Sequence, residues 1–296
     1  MDATRLAIGS ACQALSVFMQ IIGCDFSSSP SKRKPIVVAV SEHSAFEPNK
    51  TVRSTLLKIE QFDTLDAWAK WLQAQPHWVG AFDLPFGLPR ELVETLSWPT
   101  DWLACMQYYA TLSRADIRAT FKAFCDARPV GGKFAHRATD VPAGSSPSMK
   151  WVNPPVAYML HAGVPRLIEV GCHFPGLHKG NANKVALEAY PGLLAREVLG
   201  NRSYKSDDKA KQTPERLIAR KDLITALELS QTRLKLRLKL THAQRDMLVA
   251  DASGDSLDAV LCLMQATWAQ YQQEQGFPLY GLPLDVDPLE GWIVTA

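Results

Sequence analysis

The succession of hydrophobic periods between residues 17 and 83 constrains the fold of this chain more than any other feature. Apolar runs over 17–26, 36–40 and 52–62 are bounded by turn residues and are typical of strands. Over 64–75, apolar residues recur three and four positions apart, which predicts a helix, and 78–83 has the pattern of a short buried strand. The order strand, strand, strand, helix, strand predicts an α/β domain built on one sheet.

Residues 90–183 do not continue this alternation. Helical patterns, the second of them over 155–161, flank a loop rich in Gly, Pro and Ser at 128–147. We therefore interpret 90–183 as a helical and loop insertion within a single domain that spans 17–296. An extension over 1–16 precedes that domain.

After the insertion, the pattern predicts one more strand and three helices. The strand covers 184–189, and a helix follows it over 192–199. Thr213 and Pro214 have the residue types of a helix cap and a first helical position. The last helix, over 256–273, is apolar on most sides and is expected to pack in the core.

The composition is that of a globular protein with a large core. The 296 residues are 47% hydrophobic, and the net charge of +2 neither requires nor excludes a nucleic-acid partner. No apolar stretch reaches membrane-spanning length, so no membrane association is expected. The six cysteines include no Cys-x-x-Cys pair, which disfavours a zinc site or a disulfide framework and favours a cytoplasmic setting. The sequence leaves the oligomeric state open.

Several common enzyme signatures are absent from the sequence. The seven histidines include no His-x-x-x-His pair, which disfavours a zinc hydrolase. The chain has no Gly-x-Gly-x-x-Gly or Walker loop and no Gly-x-Ser-x-Gly elbow. Dinucleotide binding, classical nucleoside-triphosphate binding and serine hydrolysis are therefore disfavoured.

Four aspartates stand where predicted elements begin or end. Asp25 and Asp83 each close an apolar strand, and Asp255 and Asp258 lie three residues apart at the start of the last helix. Taken singly, each has an ordinary role in a turn or at a helix cap. Convergent carboxylates repel one another unless a cation or a proton lies between them, so together they predict a magnesium site.

Other charged residues are candidates for the rim of this site. Glu188 ends the strand over 184–189 and is either a further acidic wall of the cleft or half of an ion pair. Arg137 either holds a substrate phosphate through two hydrogen bonds or pairs with Asp140 in its own loop.

Basic residues are candidates for holding a substrate backbone. We expect Lys205, Arg202 and Lys133 to contact phosphates. Residues 201–245 hold 12 Lys or Arg against 5 Asp or Glu, an excess that attracts phosphates, although a solvated surface explains it equally well. Within this segment, 233–240 alternates basic residues and leucines, so as a strand it would have one basic and one apolar face.

The order of elements and the positions of the acids resemble the ribonuclease H-like fold, and the Asp255-Ser-Leu-Asp258-Ala259 stretch is most similar to its Holliday-junction resolvase branch. From Gly23 to about Trp268, the chain also resembles the domain-of-unknown-function 429 family of predicted nucleases. The motifs that carry this second resemblance are Phe82-Asp83-Leu-Pro-Phe-Gly-Leu-Pro89, Arg137-Ala-Thr-Asp140, Glu188-Ala-Tyr-Pro191, Tyr204-Lys205 and Gly254-Asp-Ser-Leu-Asp-Ala259.

The resemblance implies a mixed five-stranded sheet flanked by helices, with the first three strands antiparallel and the last two parallel to the first. It also implies a nuclease that hydrolyses phosphodiester bonds of DNA or RNA with Mg²⁺ or Mn²⁺. Asp25, Asp83 and Asp258 are then the expected metal ligands and catalytic residues. Asp255 is expected to be a ligand or a close neighbour, and Glu188 is a further catalytic candidate.

Two other functions are compatible with the same resemblance. One is a nucleic-acid-binding or protein-binding module that has lost catalysis, and the other is an actin-like nucleotide-binding protein. The missing glycine-rich phosphate loops count against the second.

Overall fold

The computed structural model describes residues 19–43 and 51–296, so the predicted extension over 1–16 lies outside the described residues. The strands are, in chain order, β1 (Gln20–Asp25), β2 (Ile36–Glu42), β3 (Arg53–Thr55), β4 (Lys58–Phe62), β5 (Trp78–Phe82), β6 (Cys172–His173), β7 (Asn181–Glu188) and β8 (Arg237–Lys239). Six of them form the main sheet in the order β4-β2-β1-β5-β7-β6, and β3 pairs with β8 in a separate two-stranded sheet.

Helices cover both faces of the main sheet. They are α1 (Leu65–Ala74), α2 (Arg90–Thr95), α3 (Trp102–Thr111), α4 (Arg114–Asp126), α5 (Asp140–Ala143), α6 (Val156–Glu169), α7 (Pro191–Leu199), α8 (Pro214–Glu228), α9 (His242–Ala250) and α10 (Asp255–Glu274). Short 3₁₀ turns occur at Lys209–Lys211 and Pro278–Gly281. None of the helices within the described ranges combines the length and hydrophobicity needed to span a bilayer.

The main sheet contains both strand directions. β2 is antiparallel to β1 and β4, whereas β5 is parallel to β1, β7 to β5, and β6 to β7. The predicted α/β class with flanking helices is therefore confirmed. The predicted count of five strands is wrong, because β6 adds a sixth strand from within the predicted insertion. With only two residues, β6 is too short to produce a recognisable hydrophobic period.

The stretch 52–62, predicted as one strand, is two strands in different sheets. The amide of Leu56 donates to the carbonyl of Lys239 in β8 (3.1 Å), whereas the next amide, that of Leu57, donates to Val40 in β2 (2.9 Å). Successive amides of an extended chain point in opposite directions, so these two bonds lead to different neighbouring strands. The chain therefore changes partner between two consecutive amides, at the two residues that separate β3 from β4.

Most other local predictions are confirmed. α1 begins after Thr64, whose hydroxyl accepts a hydrogen bond from the Ala67 amide (3.1 Å). α8 begins at Pro214 after Thr213. The segment 233–240 forms a strand only at β8, but its basic side chains are exposed and its leucines face the core. The cysteines of the described part of the chain are buried thiols.

The helices of the predicted insertion belong to the domain core. Their buried side chains, such as Trp102 and Phe121, pack in one apolar cluster with Phe82 and its neighbours on the sheet. The helix predicted over 155–161 extends to Glu169, because its buried apolar face continues through that last turn. These helices cover one face of the main sheet.

The other face of the main sheet is covered by α7 to α10. α10 is buried on almost every side, as predicted, and packs directly on β1 at Gly23. A Cβ atom on Gly23 would lie 2.0 Å from the amide nitrogen of Leu263 and 2.2 Å from the carbonyl oxygen of Ala259. Only glycine permits this approach, which brings the first turn of α10 close to the end of β1.

Candidate active site

Asp25 and Asp83 lie side by side at one end of the main sheet. Asp25 is the last residue of β1, Asp83 follows the last residue of β5, and the Asp83 amide donates to the carbonyl of Cys24 (2.9 Å). Side chains alternate between the two faces along a strand. Ile21 and Val79 face α10, so Asp25 and Asp83, four residues further along in each case, point to the same face.

The first turn of α10 contributes the other two predicted aspartates. Asp258 is fully buried and accepts hydrogen bonds from the Tyr204 hydroxyl and the Lys205 ammonium group. Asp255 is also buried and accepts a hydrogen bond from the Lys34 ammonium group (2.7 Å). We call these four residues, Asp25, Asp83, Asp255 and Asp258, the acidic cluster.

A rigid local structure holds Tyr204 and Lys205 against the start of α10. Gly254, which precedes the helix, has a φ of +79°, and a Cβ atom there would lie 2.6 Å from the Cβ atom of Lys205. From behind, the buried guanidinium group of Arg220 donates to the carbonyl oxygens of Tyr204 (2.8 Å) and Val249 (2.8 Å). The backbone of Lys205 is therefore held beside the first turn of α10.

Burial and mutual repulsion raise the pKa values in the acidic cluster. Burial, followed by the charge of Asp258, raises the pKa of Asp25 well above its usual value. The same two causes, in the same order, raise the pKa of Asp83 to about 7. Burial also raises the pKa of Asp258, although Lys205 and Tyr204 counteract it. The cluster thus favours the uptake of a proton or a cation.

Two lysines supply part of the positive charge that the acidic cluster requires. Burial alone would lower the pKa of Lys205, but the charges of Asp258 and Asp25 outweigh burial and raise it well above its usual value. Burial of Lys34 is likewise outweighed by its hydrogen bonds to Asp255 and Asp207, so its pKa is raised. Two ammonium groups face four carboxylates, which leaves the cluster two positive charges short when it is fully ionised.

The chemistry of the cluster suits a hard divalent cation. Neither the Asp25 nor the Asp83 carboxylate accepts a hydrogen bond from any residue that the structure describes. Within the same residues, no three carboxylate, imidazole or thiolate groups converge closely enough to hold a metal ion as they stand. Mg²⁺ commonly takes only one or two protein carboxylates and completes its shell with water, so the free oxygens of Asp25 and Asp83 fit it.

Glu188 and Arg137 are not part of the acidic cluster, and for both the structure shows the ion-pair alternative. Ala186 packs on the face opposite α10, and Glu188, two residues on, points the same way. Its carboxylate accepts hydrogen bonds from both terminal nitrogens of Arg137 (2.7 and 2.6 Å) and from the Phe86 amide (2.9 Å). Glu188 is therefore half of a buried ion pair rather than an acidic wall.

Arg137 has no free N–H group with which to bind a substrate phosphate. Besides Glu188, its guanidinium group donates to Asp140 from two nitrogens (3.2 and 2.9 Å) and to the Glu290 carbonyl oxygen (3.1 Å). These contacts use all five N–H donors of the group. Of the two alternatives for Arg137, the structure shows the pairing with Asp140. It also shows the shorter hydrogen bonds to Glu188, a partner for Arg137 that the sequence did not indicate.

The remaining candidate phosphate contacts lie apart from the cluster. Arg202 is exposed and pairs with Asp222 (2.7 Å). Lys133 is exposed, with its ammonium nitrogen 5.8 Å from the centre of the Phe134 ring. Lys205 alone among the predicted phosphate contacts reaches the aspartates.

Lys34 is the residue of the site that sequence reasoning missed. It lies in the basic turn between β1 and β2, which begins where β1 ends at Asp25. That connection was the available signal, because a hairpin turn must lie close to the strand end from which it starts.

Comparison of the chain with protein-family models, with curated proteins and with solved structures finds no match. The observations that define the site are therefore its own geometry and charge. The protein has an α/β fold with a mixed sheet. Its buried acidic cluster lies between the ends of two parallel strands and the start of a helix, and its charge favours the binding of a cation.

Proposed function

We propose that this protein is a divalent-metal-dependent nuclease with a ribonuclease H-like fold. The observation that carries the proposal is the pair Asp25 and Asp83, which lie on adjacent parallel strand ends, accept no hydrogen bond from the described residues and face Asp258 on a buried helix. The strand order β4-β2-β1-β5-β7, in which only β2 is reversed, agrees with the arrangement that the sequence resemblance implies.

In this proposal, Asp25 and Asp83 hold the metal ion, and Asp258 joins them if Lys205 moves aside. A bound Mg²⁺ or Mn²⁺ ion would stabilise negative charge that develops on a phosphodiester. Lys205 and Lys34 add positive potential at the rim, which favours the approach of a phosphate to an otherwise acidic site. Asp255 keeps Lys34 in place through their hydrogen bond.

The two-stranded sheet supports nucleic acid as the substrate. Arg53 of β3 lies directly opposite Arg237 of β8, and Lys239 is two residues further along the same face. All three side chains are exposed, and none forms an ion pair with a carboxylate in the part of the chain that the structure describes. Like charges on neighbouring strands destabilise a sheet, so a polyanion that neutralises them is a suitable partner.

Cleavage assays test the proposed function directly. Labelled single-stranded, duplex and branched DNA and RNA are incubated with the purified protein in Mg²⁺, in Mn²⁺ and in EDTA. We expect cleavage of at least one substrate that requires the metal ion and stops in EDTA. Absence of cleavage from every substrate with either metal would reject the proposal.

Removing two charges from the two-stranded sheet is expected to weaken binding of nucleic acid in a salt-dependent way. The double variant Arg53→Gln/Arg237→Gln should reduce the slope of log Kd against log salt by about two, roughly one for each lost phosphate contact. Fluorescence polarisation with a labelled oligonucleotide measures the slope. Lys70→Gln/Arg118→Gln removes the same charge from exposed positions on α1 and α4 and should leave the slope nearly unchanged. Equal slopes for both double variants would count against this surface.

A second candidate function is a binding module without catalysis. The observation in its favour is the hydrogen bond from Lys205 to Asp258, which already supplies a cation to the most buried aspartate. The two functions differ in whether Mg²⁺ binds the folded protein. That difference is measurable without any knowledge of the substrate.

Asp83 is expected to destabilise the metal-free protein progressively as the pH rises from about 4 to about 7. The folded protein retains a proton on Asp83, whose pKa burial and Asp258 raise to about 7, whereas the unfolded chain releases it near pH 4. Because the folded state binds more protons over this interval, its stability falls with increasing pH. Thermal unfolding in EDTA at several pH values measures the fall, and Asp83→Asn should make it shallower.

Added Mg²⁺ should counteract this loss most strongly at high pH. Carboxylate ligands must be deprotonated to bind a metal ion, so Mg²⁺ should raise Tm more at about pH 8 than at about pH 5. A Tm that does not respond to Mg²⁺ or Mn²⁺ at either pH would favour the binding module.

A further inference from the structure

A cavity of about 160 Å³ opens beside Asp83, on the side where the polypeptide continues into Leu84 and Pro85. Its walls are mainly apolar and include Leu84, Pro85, Val156, Met159 and Ile293. Val156 and Met159 lie three residues apart on the first turns of α6, so they line the cavity from one helix face. The cavity is therefore an apolar space that borders the acidic cluster.

Apart from Asp83, whose carboxylate belongs to the acidic cluster, the charged groups in the cavity wall are already paired. Arg137 uses all five of its donors, and Glu188 accepts from Arg137 and from the Phe86 amide. The hydroxyl of Ser145 donates to Asp140 (3.1 Å). A phosphate would meet the Asp83 carboxylate and no free positive charge in this wall, so the part of a substrate that enters the cavity must be an uncharged group.

A few hydrogen-bonding groups remain at the wall. Ser146 lines the cavity, and its hydroxyl has no hydrogen-bond partner among the residues that the structure describes. Tyr190 also lines it, and its hydroxyl accepts one hydrogen bond from Arg196 (3.1 Å), which leaves its own proton to donate. An occupant with polar edges and apolar faces is complementary to this surface.

The volume limits the occupant to a single ring system. Sites for drug-sized ligands occupy roughly 300 Å³ or more, about twice the volume available here. The occupant must also be attached to a phosphodiester if it is to lie beside Asp83 while the proposed reaction takes place. A nucleobase has the required size, flat apolar faces and hydrogen-bonding edges.

We propose that this cavity receives the base of one unpaired nucleotide next to the phosphodiester that is cleaved. The inference rests on the proposed nuclease function and specifies its substrate class. A base in a duplex is stacked on both sides and paired at its edge, so it enters an enclosed cavity only after leaving the helix. The protein is therefore specific for single-stranded nucleic acid or for a nucleotide that is easily extruded.

Abasic substitution in the substrate tests this inference with the wild-type protein. A single-stranded oligonucleotide is prepared with one abasic residue at successive positions, and the cleavage products are mapped. We expect cutting beside the abasic residue to fall at least about tenfold, in keeping with the loss of one stacked base, while cutting elsewhere in the same strand continues. The fully paired duplex should also be cut at least about tenfold more slowly than the single strand.

Filling the cavity provides an independent test. Met159→Trp should remove the difference between intact and abasic positions, because the indole occupies the space of the base. Met159→Leu conserves the volume of the side chain and should retain the difference. Thermal unfolding establishes that each variant is folded.

The possible outcomes distinguish this inference from the proposed function. Cleavage that is equally fast beside abasic and intact residues, or equally fast in duplex and single strand, would overturn the cavity assignment and leave the nuclease function intact. Absence of metal-dependent cleavage from all substrates would reject both.

Discussion

Replacing Asp25 by asparagine is expected to lower metal-dependent cleavage of nucleic acid by at least about 100-fold. Asparagine has almost the shape of aspartate but lacks its negative charge, so it binds a divalent cation much more weakly. Metal-assisted stabilisation of charge contributes several kcal/mol to such reactions, and each ~1.4 kcal/mol corresponds to a factor of ten in rate. Single-turnover cleavage with the best substrate measures the loss.

The same substitution should leave the free energy of unfolding unchanged or increase it. Asp25 retains only 9% of its accessible surface, accepts no hydrogen bond from residues 19–43 or 51–296, and has a pKa that burial and the charge of Asp258 raise. A neutral amide removes this repulsion, so a loss of activity would coincide with equal or higher stability. Replacing a residue that serves a reaction rather than the fold commonly lowers activity while it raises stability.

Asp63→Asn is the matched control for Asp25→Asn. Asp63 is exposed before α1 and has no ion pair in the described part of the chain, so its substitution changes the net charge equally and should alter neither measurement. Equal cleavage by wild type and Asp25→Asn would indicate that the acidic cluster is not the active site. A large fall in stability would show instead that Asp25 has a structural partner.

Much of the fold could be predicted because the hydrophobic period reports local structure directly. Both faces of the strands β1 and β5 are buried, and the helix α10 is buried on almost every side. The apolar runs in these three elements are therefore uninterrupted. The split of 52–62 could not be predicted, because the hydrogen-bond partner changes from β8 to β2 between two consecutive residues. Local sequence carries no information on which strand an amide pairs with.

The acidic cluster was predictable for a related reason. Asp25 and Asp83 end parallel neighbours, and parallel strands bring their carboxyl ends to one edge. The separation of Glu188 from them depends on the alternation of faces, which the apolar run through β7 conceals because both faces of that strand are buried. The saturation of Arg137 required the tertiary structure, because its partners Glu188 and Glu290 lie 51 and 153 residues away.

Replacing Arg137 by methionine is expected to lower the free energy of unfolding by about 3–5 kcal/mol at neutral pH. Arg137 and Glu188 are 2% and 4% exposed, so the variant leaves a buried carboxylate without its countercharge. Methionine retains most of the apolar volume of the arginine side chain, which limits the contribution of a cavity to the loss. Chemical denaturation monitored by tryptophan fluorescence measures the difference.

The loss should depend on pH in a defined direction. Burial raises the pKa of Glu188, and Arg137 opposes that rise in the wild type. Without Arg137 the pKa rises further, so Glu188 stays protonated to higher pH in the folded variant than in the unfolded chain. Stability gained from that proton is lost as the pH increases, and Arg137→Met should be less destabilising at about pH 5 than at about pH 8.

A double variant separates the lost ion pair from other effects of the methionine. Arg137→Met/Glu188→Gln removes both charges and should recover part of the stability, with little remaining dependence on pH, because no ionised carboxylate is left beside the methionine except Asp140. That residue keeps hydrogen bonds from the backbone amide of residue 137 (2.9 Å) and from Ser145 (3.1 Å).

Arg202→Met breaks the exposed pair with Asp222 and should cost less than about 1 kcal/mol. If Arg137→Met cost as little as Arg202→Met, the five hydrogen bonds of Arg137 would not be essential to the fold, and its role as a phosphate contact would have to be reconsidered.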